Sequence, residues 1–437
     1  MTDIATLREI VEDASLVLET ERTGLVERQL APSLLERGRF GVVEVVSGVR
    51  RSGKSTLLLA VGRGLMDAGR DVHYINFEDE RLSPRTSDLG DISSILKLDG
   101  AVLLIDEPQN MPGWERWVRR MHDRGTKVYV TGSNSRLLGG EFSTALAGRK
   151  RQHEVFPFSF EEYLRAKRSE DVTSDQRLRL LEEYIAKGGF PYPTVTGDAA
   201  VLRDYREDII ERDVLMRHRV ANPVRFKELV RFLMSNPGVY LSSRSVRGLL
   251  DISHPTLRKY LGYLEEAYAV VALEKHSRST KVRILNPRKV YPVDNGLLTR
   301  GDDRGRLLES VVVQHLRRAT RDVFYWKDVR NREVDAYLPE EGLAVQVAYE
   351  LDEDNLAREE APLRSAVREF RARGVMVSMY SHVEADFPIV RATDILRGDP
   401  IGRLRSAVEA GGRQGRAGAS GRRARQRDSS GARGRAV

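Results

Sequence analysis

The 437 residues are 41% apolar and 31% charged, carry a formal net charge of +8 and include no cysteine. That is an ordinary globular composition with material for two or three domains, and it excludes disulfides and thiolate metal sites. The polar start Met-Thr-Asp-Ile-Ala-Thr lacks the apolar core of a signal peptide and no run of about eighteen apolar residues occurs, so a cytoplasmic protein without a membrane span is expected.

From the N-terminus, Thr2 to Thr20 has the spacing of an amphipathic helix and Phe40 to Val46 is a largely apolar, β-branched run that suits a buried strand. Gly48-Val49-Arg50-Arg51-Ser52-Gly53-Lys54-Ser55 then fits G-x-x-x-x-G-K-[ST], and Ser55-Thr56-Leu57-Leu58 opens a helix. Strand, loop and helix thus arrive in the order of a phosphate-binding loop. The backbone of Gly48, Arg51, Ser52, Gly53 and Thr56 would wrap the phosphates, Lys54 would bridge the β- and γ-phosphates, and Ser55 would reach Mg²⁺. No guanine-reading Asn-Lys-x-Asp element accompanies the loop, so ATP with Mg²⁺ is the expected pair.

Val72 to Phe77 and Val102 to Ile105 are further strands, and the second ends in Asp106-Glu107. Ligands gather at the carboxyl ends of parallel strands. There Asp106 would hold Mg²⁺ beside Ser55, and Glu107 would deprotonate a water in line with the γ-phosphate; without the loop, two solvated acids ending a strand would be the favoured reading. After a helix around Trp114 to Asp123, the strand Val128 to Thr131 ends in Gly132-Ser133-Asn134, whose polar groups are candidates to sense the γ-phosphate. Arg149, with Arg151 as second choice, precedes the short strand Glu154-Val155-Phe156 and is placed to act as a finger on a neighbouring subunit's nucleotide, which implies a homo-oligomer. The plainer alternative is a solvated basic run. Alternation of strand and helix argues for a parallel sheet covered on both faces.

These segments, with Leu146-Ala147-Gly148-Arg149 and Pro157-Phe158-Ser159-Phe160-Glu161-Glu162-Tyr163-Leu164, resemble the prokaryotic AAA-type ATPases of the archaeal-ATPase-like group, whose members carry a C-terminal domain of unknown function. The resemblance continues through Gly188-Gly189-Phe190-Pro191, Glu211-Arg212-Asp213-Val214, Val290-Tyr291-Pro292-Val293-Asp294-Asn295-Gly296-Leu297 and Glu333-Val334-Asp335. It implies an ATP-binding, ATP-hydrolysing protein with a DNA-binding type of middle and a nuclease-like last domain.

Residues 160 to 220 read as a helical lid broken at Gly188-Gly189. Pro223 to Ser235, Ser242 to Leu250 and Ser253 to Ala267 read as the three helices of a winged helix, with Val270 to Val282 as a hairpin wing. On the third helix Arg258 and Lys259 are placed to meet a DNA groove. Lys275, Arg278, Lys281, Arg283, Arg288 and Lys289 fall together without one acid, the footprint of phosphate contacts. Double-stranded DNA is the partner this suggests; the alternative is a winged helix that docks on protein. Leu307 to Leu396 resembles the PD-(D/E)xK nuclease fold. Glu309 and Asp335 match its helix and strand acids, but Gln346-Val347-Ala348 puts an amide and an alanine where the fold has an acid and a lysine, so an inactive scaffold is expected.

Between Arg403 and Val437, ten arginines against Glu409 and Asp428 account for the whole net charge. Poor in large apolar residues, this tail is expected to be disordered, either an arm for polyanions or a featureless extension. The expected fold class is α/β: a P-loop NTPase core over residues 1–159, the lid 160–220, the winged helix 221–290, the nuclease-like domain 291–400 and the tail 401–437. The expected activity is Mg²⁺-dependent ATP hydrolysis coupled to the winged helix. The alternatives are a DNA-binding switch with little turnover and an ATP-regulated nuclease acting on foreign DNA.

Overall fold

In the computed structural model the described residues are 2–20, 25–36, 41–133, 146–242, 250–299 and 302–410. Strands β1 (Val43–Ser47), β2 (Val72–Asn76), β3 (Val102–Asp106), β4 (Lys127–Gly132) and β5 (Lys150–Glu154) form a parallel sheet in the order β2-β3-β4-β1-β5. β1, β3 and β4 are buried along their whole lengths, as both covered faces require. The helix Trp114–Asp123 shows the packing that covers one face: Trp114, Trp117, Val118 and Met121, spaced three and four apart, are its buried residues. Trp117 is fully enclosed and stacks edge-on to Phe77, so truncation to alanine there would cost about 3–5 kcal/mol.

The last strand begins four residues before the expected Glu154-Val155-Phe156. β5 is an edge strand that pairs with β1 alone, and its run Lys-Arg-Gln-His-Glu needs only the inward His153 to be buried. Hydrogen bonding to β1, and not apolar content, decides its extent. The apolar Val155 and Phe156 follow as the chain leaves the sheet.

Residues 160–215 are helical. Ser159 caps the helix Phe160–Ala166 in a capping box with Glu162, and the helix Val201–Asp208 runs into the wider turn Ile209–Leu215. Gly188 ends the helix Ser174–Lys187 at φ +75°, where a Cβ would lie 1.9 Å from Asp294 Oδ1, and one on Gly189 would lie 2.3 Å from the Phe158 carbonyl oxygen. Two distant motifs therefore meet at one joint. The buried Asp294 carboxylate accepts from the amides of Gly189 and Gly296, and burial pushes it up to about 6 despite those bonds. His315 adds a second tie. Its Nε2 accepts from the Phe160 amide while Nδ1 faces the Val311 carbonyl, and burial lowers it to about 3, which keeps the ring neutral.

In the middle of the chain the helix Pro223–Ser235, strand β6 (Val239–Leu241), the Ser253-capped helix His254–Glu266, β7 (Val270–Leu273) and β8 (Arg288–Pro292) follow in order, and the strands pair antiparallel as β6-β8-β7. Most of the second helix expected at Ser242 to Leu250 lies outside the described residues. The hairpin is longer than the sequence suggests. Its second arm is β8, and a short helix, Thr280–Leu285, fills the excursion where Val270 to Val282 was expected to form the whole wing.

The last sheet is mixed, β13-β12-β11-β10-β9, built from β9 (Phe324–Lys327), β10 (Glu333–Leu338), β11 (Leu343–Leu351), β12 (Arg373–Ser381) and β13 (Ile389–Arg391). The helix Arg304–Ala319 packs on β11 with Leu308, Val312 and Leu316 fully buried. One apolar cluster runs from Phe160 through Phe226 and Val290 to Val345 and Leu404. The expectation of a disordered tail from residue 401 fails for its first ten residues, because residues 400–410 are helical and Leu404 is fully buried in that cluster. Ile401 and Leu404, three residues apart, suffice to seat it on that cluster; residues 411–437 lie outside the described residues. Among the described residues no helix is long and apolar enough to cross a membrane.

Candidate functional site

The carboxyl ends of β1, β3 and β4 lie along one edge of the parallel sheet and bring the phosphate-loop residues to the two acids. Gly48 sits where a Cβ would meet the Val155 carbonyl oxygen at 2.1 Å, and Gly53, at φ +90°, turns the chain into the helix Lys54–Asp67. Arg51 adopts φ +66° and its guanidinium lies over the Tyr205 ring. A non-glycine residue held left-handed is strained by about 1 kcal/mol or more, and such strain collects at ligand clamps. The loop also fits the phosphates chemically. Among the described residues Ser52 Oγ is buried without a partner, Lys54 is buried with Nζ donating to the Val49 carbonyl, and Ser55 is exposed at the mouth. Burial lowers Lys54, opposed by Glu107, Asp106 and Asp213 around it.

Asp106, 2% exposed, accepts from Thr131 Oγ1 at Oδ1 and from Tyr74 at Oδ2, 3.3 Å away. Glu107 stands at φ +50°, and its Oε2 accepts from the Gln109 amide and from the Ser133 backbone N–H at 3.4 Å. Both acids, Lys54 and Ser133 are thus contiguous. Asn134 lies outside the described residues.

Sequence reasoning assigned no role to Asp213, which the geometry puts at the centre. Wholly buried on the turn Ile209–Leu215, it takes Arg50 Nε at 3.0 Å, Arg217 Nη2 at 3.1 Å and the Ser133 hydroxyl at 3.3 Å. Burial pulls Arg50 down, but the Asp213 carboxylate, with Glu107 and Glu78, more than reverses it, so the cation is retained. Arg28 was missed as well. It is 8% exposed and donates to Ser52 O, Phe156 O and Glu162, pinning the loop to the helix Phe160–Ala166. The only local signal was Ser159-x-x-Glu162, a capping box whose glutamate has this second use.

Arg149 is not part of this edge. Its carbonyl accepts from Val43 N, at the start of β1 and a strand length from the loop, and its exposed guanidinium pairs with Asp123 at 2.6 Å. Arg151 is exposed on β5 and approaches Glu44 at 4.0 Å. Neither reaches its own chain's phosphate loop.

Of the basic residues in the middle segment, Arg258, Lys259, Arg278 and Lys281 are exposed and Lys275 and Arg283 half-buried. Arg258 and Arg283 line one groove of about 290 Å³ with His254 and Glu265. Two members of the expected phosphate footprint are committed elsewhere. Arg288 pairs with Glu265 and Glu274, and Lys289, 4% exposed, points away from solvent into a group of acids. That group is Glu309, Glu333 and Asp335, whose carboxylate oxygens lie within 4.8 Å of one another. Lys289 Nζ stands 2.5 Å from Glu309 and 3.3 Å from Asp335 and also pairs with Glu333. A cation thus reaches the acids from β8, although the position after Val347 on β11 holds alanine. Burial and the neighbouring Glu309 push the Asp335 carboxyl well up, while the acids together hold Lys289 charged against its burial. Nothing in the local pattern around Lys289 signals this, because strand pairing brings it there.

An AAA domain matches residues 42–164 and a domain of unknown function, DUF8612, residues 178–303. An uncharacterized protein of Methanocaldococcus jannaschii is 32% identical over 80% of this chain and 85% of its own, and one of Haemophilus influenzae is 31% identical over 71% and 84%. Among solved structures, DnaA of Aquifex aeolicus bound to AMPPCP aligns over 57% of this chain and 91% of its own at 15% identity, with a TM-score of 0.30. A STAND-type signal transduction ATPase of Pyrococcus horikoshii aligns over 69% of this chain and 46% of its own, at 14% identity and a TM-score of 0.27.

Proposed function

Because this chain belongs to the same family as the Methanocaldococcus jannaschii and Haemophilus influenzae proteins and carries an AAA-type P-loop domain, we propose that it is a Mg²⁺-dependent ATPase whose nucleotide state is passed to a DNA-contacting winged helix. The observation that carries the reading is the contiguity of Lys54, Asp106, Glu107 and Ser133 at one sheet edge. Bound Mg²⁺ would neutralise developing charge on the phosphates, with Ser55 and Asp106 as its protein contacts. Thr131 and Tyr74 orient Asp106; Gln109 and the Ser133 amide orient Glu107, whose carboxylate is the acceptor for the proton of an attacking water. Lys54, desolvated beside the acids, supplies the fixed positive charge for the β- and γ-phosphates.

The strand order β6-β8-β7 with helices before and between the strands supports the winged-helix reading, and exposed Arg258, Lys259, Arg278 and Lys281 support DNA contact through its backbone phosphates. Arg149, remote from its own loop and exposed, would act on the nucleotide of a second subunit, so hydrolysis would be an oligomer's property. The contact of Asp213 with Arg50, Arg217 and Ser133 favours a second reading, a switch in which the helical segment responds to the γ-phosphate with slow turnover.

Phosphate release from Mg-ATP by wild type and Glu107→Gln, at several protein concentrations and with and without duplex DNA, tests both. Turnover lost in the variant, rising with concentration and stimulated by DNA, is the expected result. ATP bound without turnover in any condition would overturn the ATPase reading in favour of the switch.

A further inference from the structure

Asp213 is wholly buried, and both its oxygens are taken. Oδ2 accepts from Arg50 Nε at 3.0 Å; Oδ1 accepts from Arg50 Nη2 and from the Ser133 hydroxyl, each at 3.3 Å, and pairs with Arg217 Nη2 at 3.1 Å. Two guanidiniums and a hydroxyl converging on one oxyanion form a donor set that suits a phosphate as well as a carboxylate. The setting is also a phosphate's. Arg50 belongs to the phosphate loop, Ser133 directly follows β4 and gives its backbone N–H to Glu107, and Asp213 acts through space on Lys54, the cation assigned to the β- and γ-phosphates.

The far end of the same short stretch is tied to a different module. The Val214 carbonyl accepts from the amides of Arg217 and His218, so the chain after Asp213 continues as one turn. His218 then stacks on Tyr263, with ring centres 3.8 Å apart and planes inclined by 30°, and its Nε2 lies 3.4 Å from Glu266. Tyr263 and Glu266 stand on the helix His254–Glu266, where the exposed Lys259 reaches over the Tyr263 ring with Nζ 5.9 Å from its centre. Past His218, the Asn222 backbone N–H donates to the Tyr260 hydroxyl of that helix at 3.2 Å. A displacement of Asp213 is therefore felt, within five residues, by an aromatic stack on the helix that presents Arg258 and Lys259 to solvent.

We propose that Asp213 is a built-in competitor of the nucleotide's terminal phosphate, and that the turn from Asp213 to His218 is a latch between the phosphate loop and the helix His254–Glu266. A triphosphate supplies its own oxyanion to Arg50, Arg217 and Ser133, the carboxylate yields its place, and the His218–Tyr263 stack loosens with it. A diphosphate has no group for that position and leaves the latch closed. The proposal rests on the ATP-binding reading of the phosphate loop and adds to it the residues through which the third phosphate is sensed. Linkage then makes the effect reciprocal: whatever weakens the latch must tighten the nucleotide that opens it, and that nucleotide alone.

Calorimetric affinities of the full chain for Mg-AMPPNP and Mg-ADP test it. Asp213→Asn is expected to tighten Mg-AMPPNP about threefold to tenfold and to change Mg-ADP less than about twofold. Tyr263→Leu, which weakens the stack and leaves the phosphate-loop residues as they are, is expected to tighten Mg-AMPPNP alone, by about twofold to tenfold. A dye on Met216→Cys, 79% exposed and unique in a chain without cysteine, is expected to change its emission with Mg-AMPPNP and not with Mg-ADP. Mg-AMPPNP affinity that is unchanged, weakened or shifted by the same factor as Mg-ADP in either folded variant, or a dye without an AMPPNP-specific response, overturns the latch and leaves the ATP-binding reading standing. Should Asp213→Asn not fold, Tyr263→Leu and the dye decide. Wild type that binds neither nucleotide overturns the ATP-binding reading, and the latch with it.

Discussion

Two acidic centres in this chain each hold a buried lysine, and the two lysines are in opposite situations. Lys54 faces Asp106 and Glu107 across a space suited to phosphates, with the Val49 carbonyl as its hydrogen-bond acceptor, and burial lowers it. Lys289 is saturated by Glu309, Glu333 and Asp335, which hold it charged. The first is arranged for a guest that brings its own negative charge; the second is already balanced by the protein. Similar residue types thus make a site prepared for a ligand in one place and a cross-link between sheets in the other. The deciding quantity is whether the charge has an internal partner.

The sharpest way to break this contrast is to remove each lysine. Lys289→Met leaves three carboxylates facing one another and is expected to cost about 3–5 kcal/mol in metal-free urea unfolding; a loss under about 1 kcal/mol would mean that the acids protonate or open to water without penalty. Lys54→Met should leave stability within about 1 kcal/mol of wild type, since it removes a buried charge with little compensation. The same change should lower ATP turnover by at least about 10²-fold. Turnover that survives would show that Lys54 is not the phosphate cation.

A third test concerns the joint between the two regions. Asp294 sits near 6 in the folded chain and near 4 unfolded, so the native state binds the extra proton between those values and its stability falls as pH rises from about 4 to about 6. Asp294→Asn removes that slope. The stability difference between variant and wild type is expected to change by up to about 3 kcal/mol between pH 4 and pH 7, wild type gaining on acidification. A difference that stays flat across the window would place the Asp294 carboxyl in water. The smallest effect is expected at the loop itself. Asp213→Asn weakens the hold on Arg50 and Arg217, and binding of a fluorescent ATP analogue should tighten about threefold to tenfold. Unchanged or weaker binding would mean that Asp213 positions these arginines for the phosphates instead of competing with them.

Much of the first region was legible in order. The loop signature, the apolar strands before it and before Asp106, and the helix Trp114–Asp123 rest on local periodicity and turn chemistry, and those are properties of adjacent residues. Legibility failed where partners are distant. β5 has no apolar pattern of its own and exists because β1 offers an edge; the excursion between β7 and β8 reads as a basic run, yet Arg288 and Lys289 at its end are drawn inward by Glu265, Glu274 and the three acids. Helix 400–410 failed for the same reason. An arginine-bearing stretch with few apolar residues reads as unfolded until Leu404 is seen to have a groove waiting.

By itself the sequence determined that there is a phosphate loop, that two carboxylates end a buried strand, and that an α/β sheet holds them, because each is written in consecutive residues whose backbone preferences and polarity act locally. The tertiary structure alone decided that Asp213 closes on Arg50 and Ser133, that Arg149 faces away from its own loop, and that Lys289 fills the acids of another sheet. Those depend on pairings across as many as 163 positions, as between Arg50 and Asp213. Charge acts through space, and only the folded chain says which charges are neighbours.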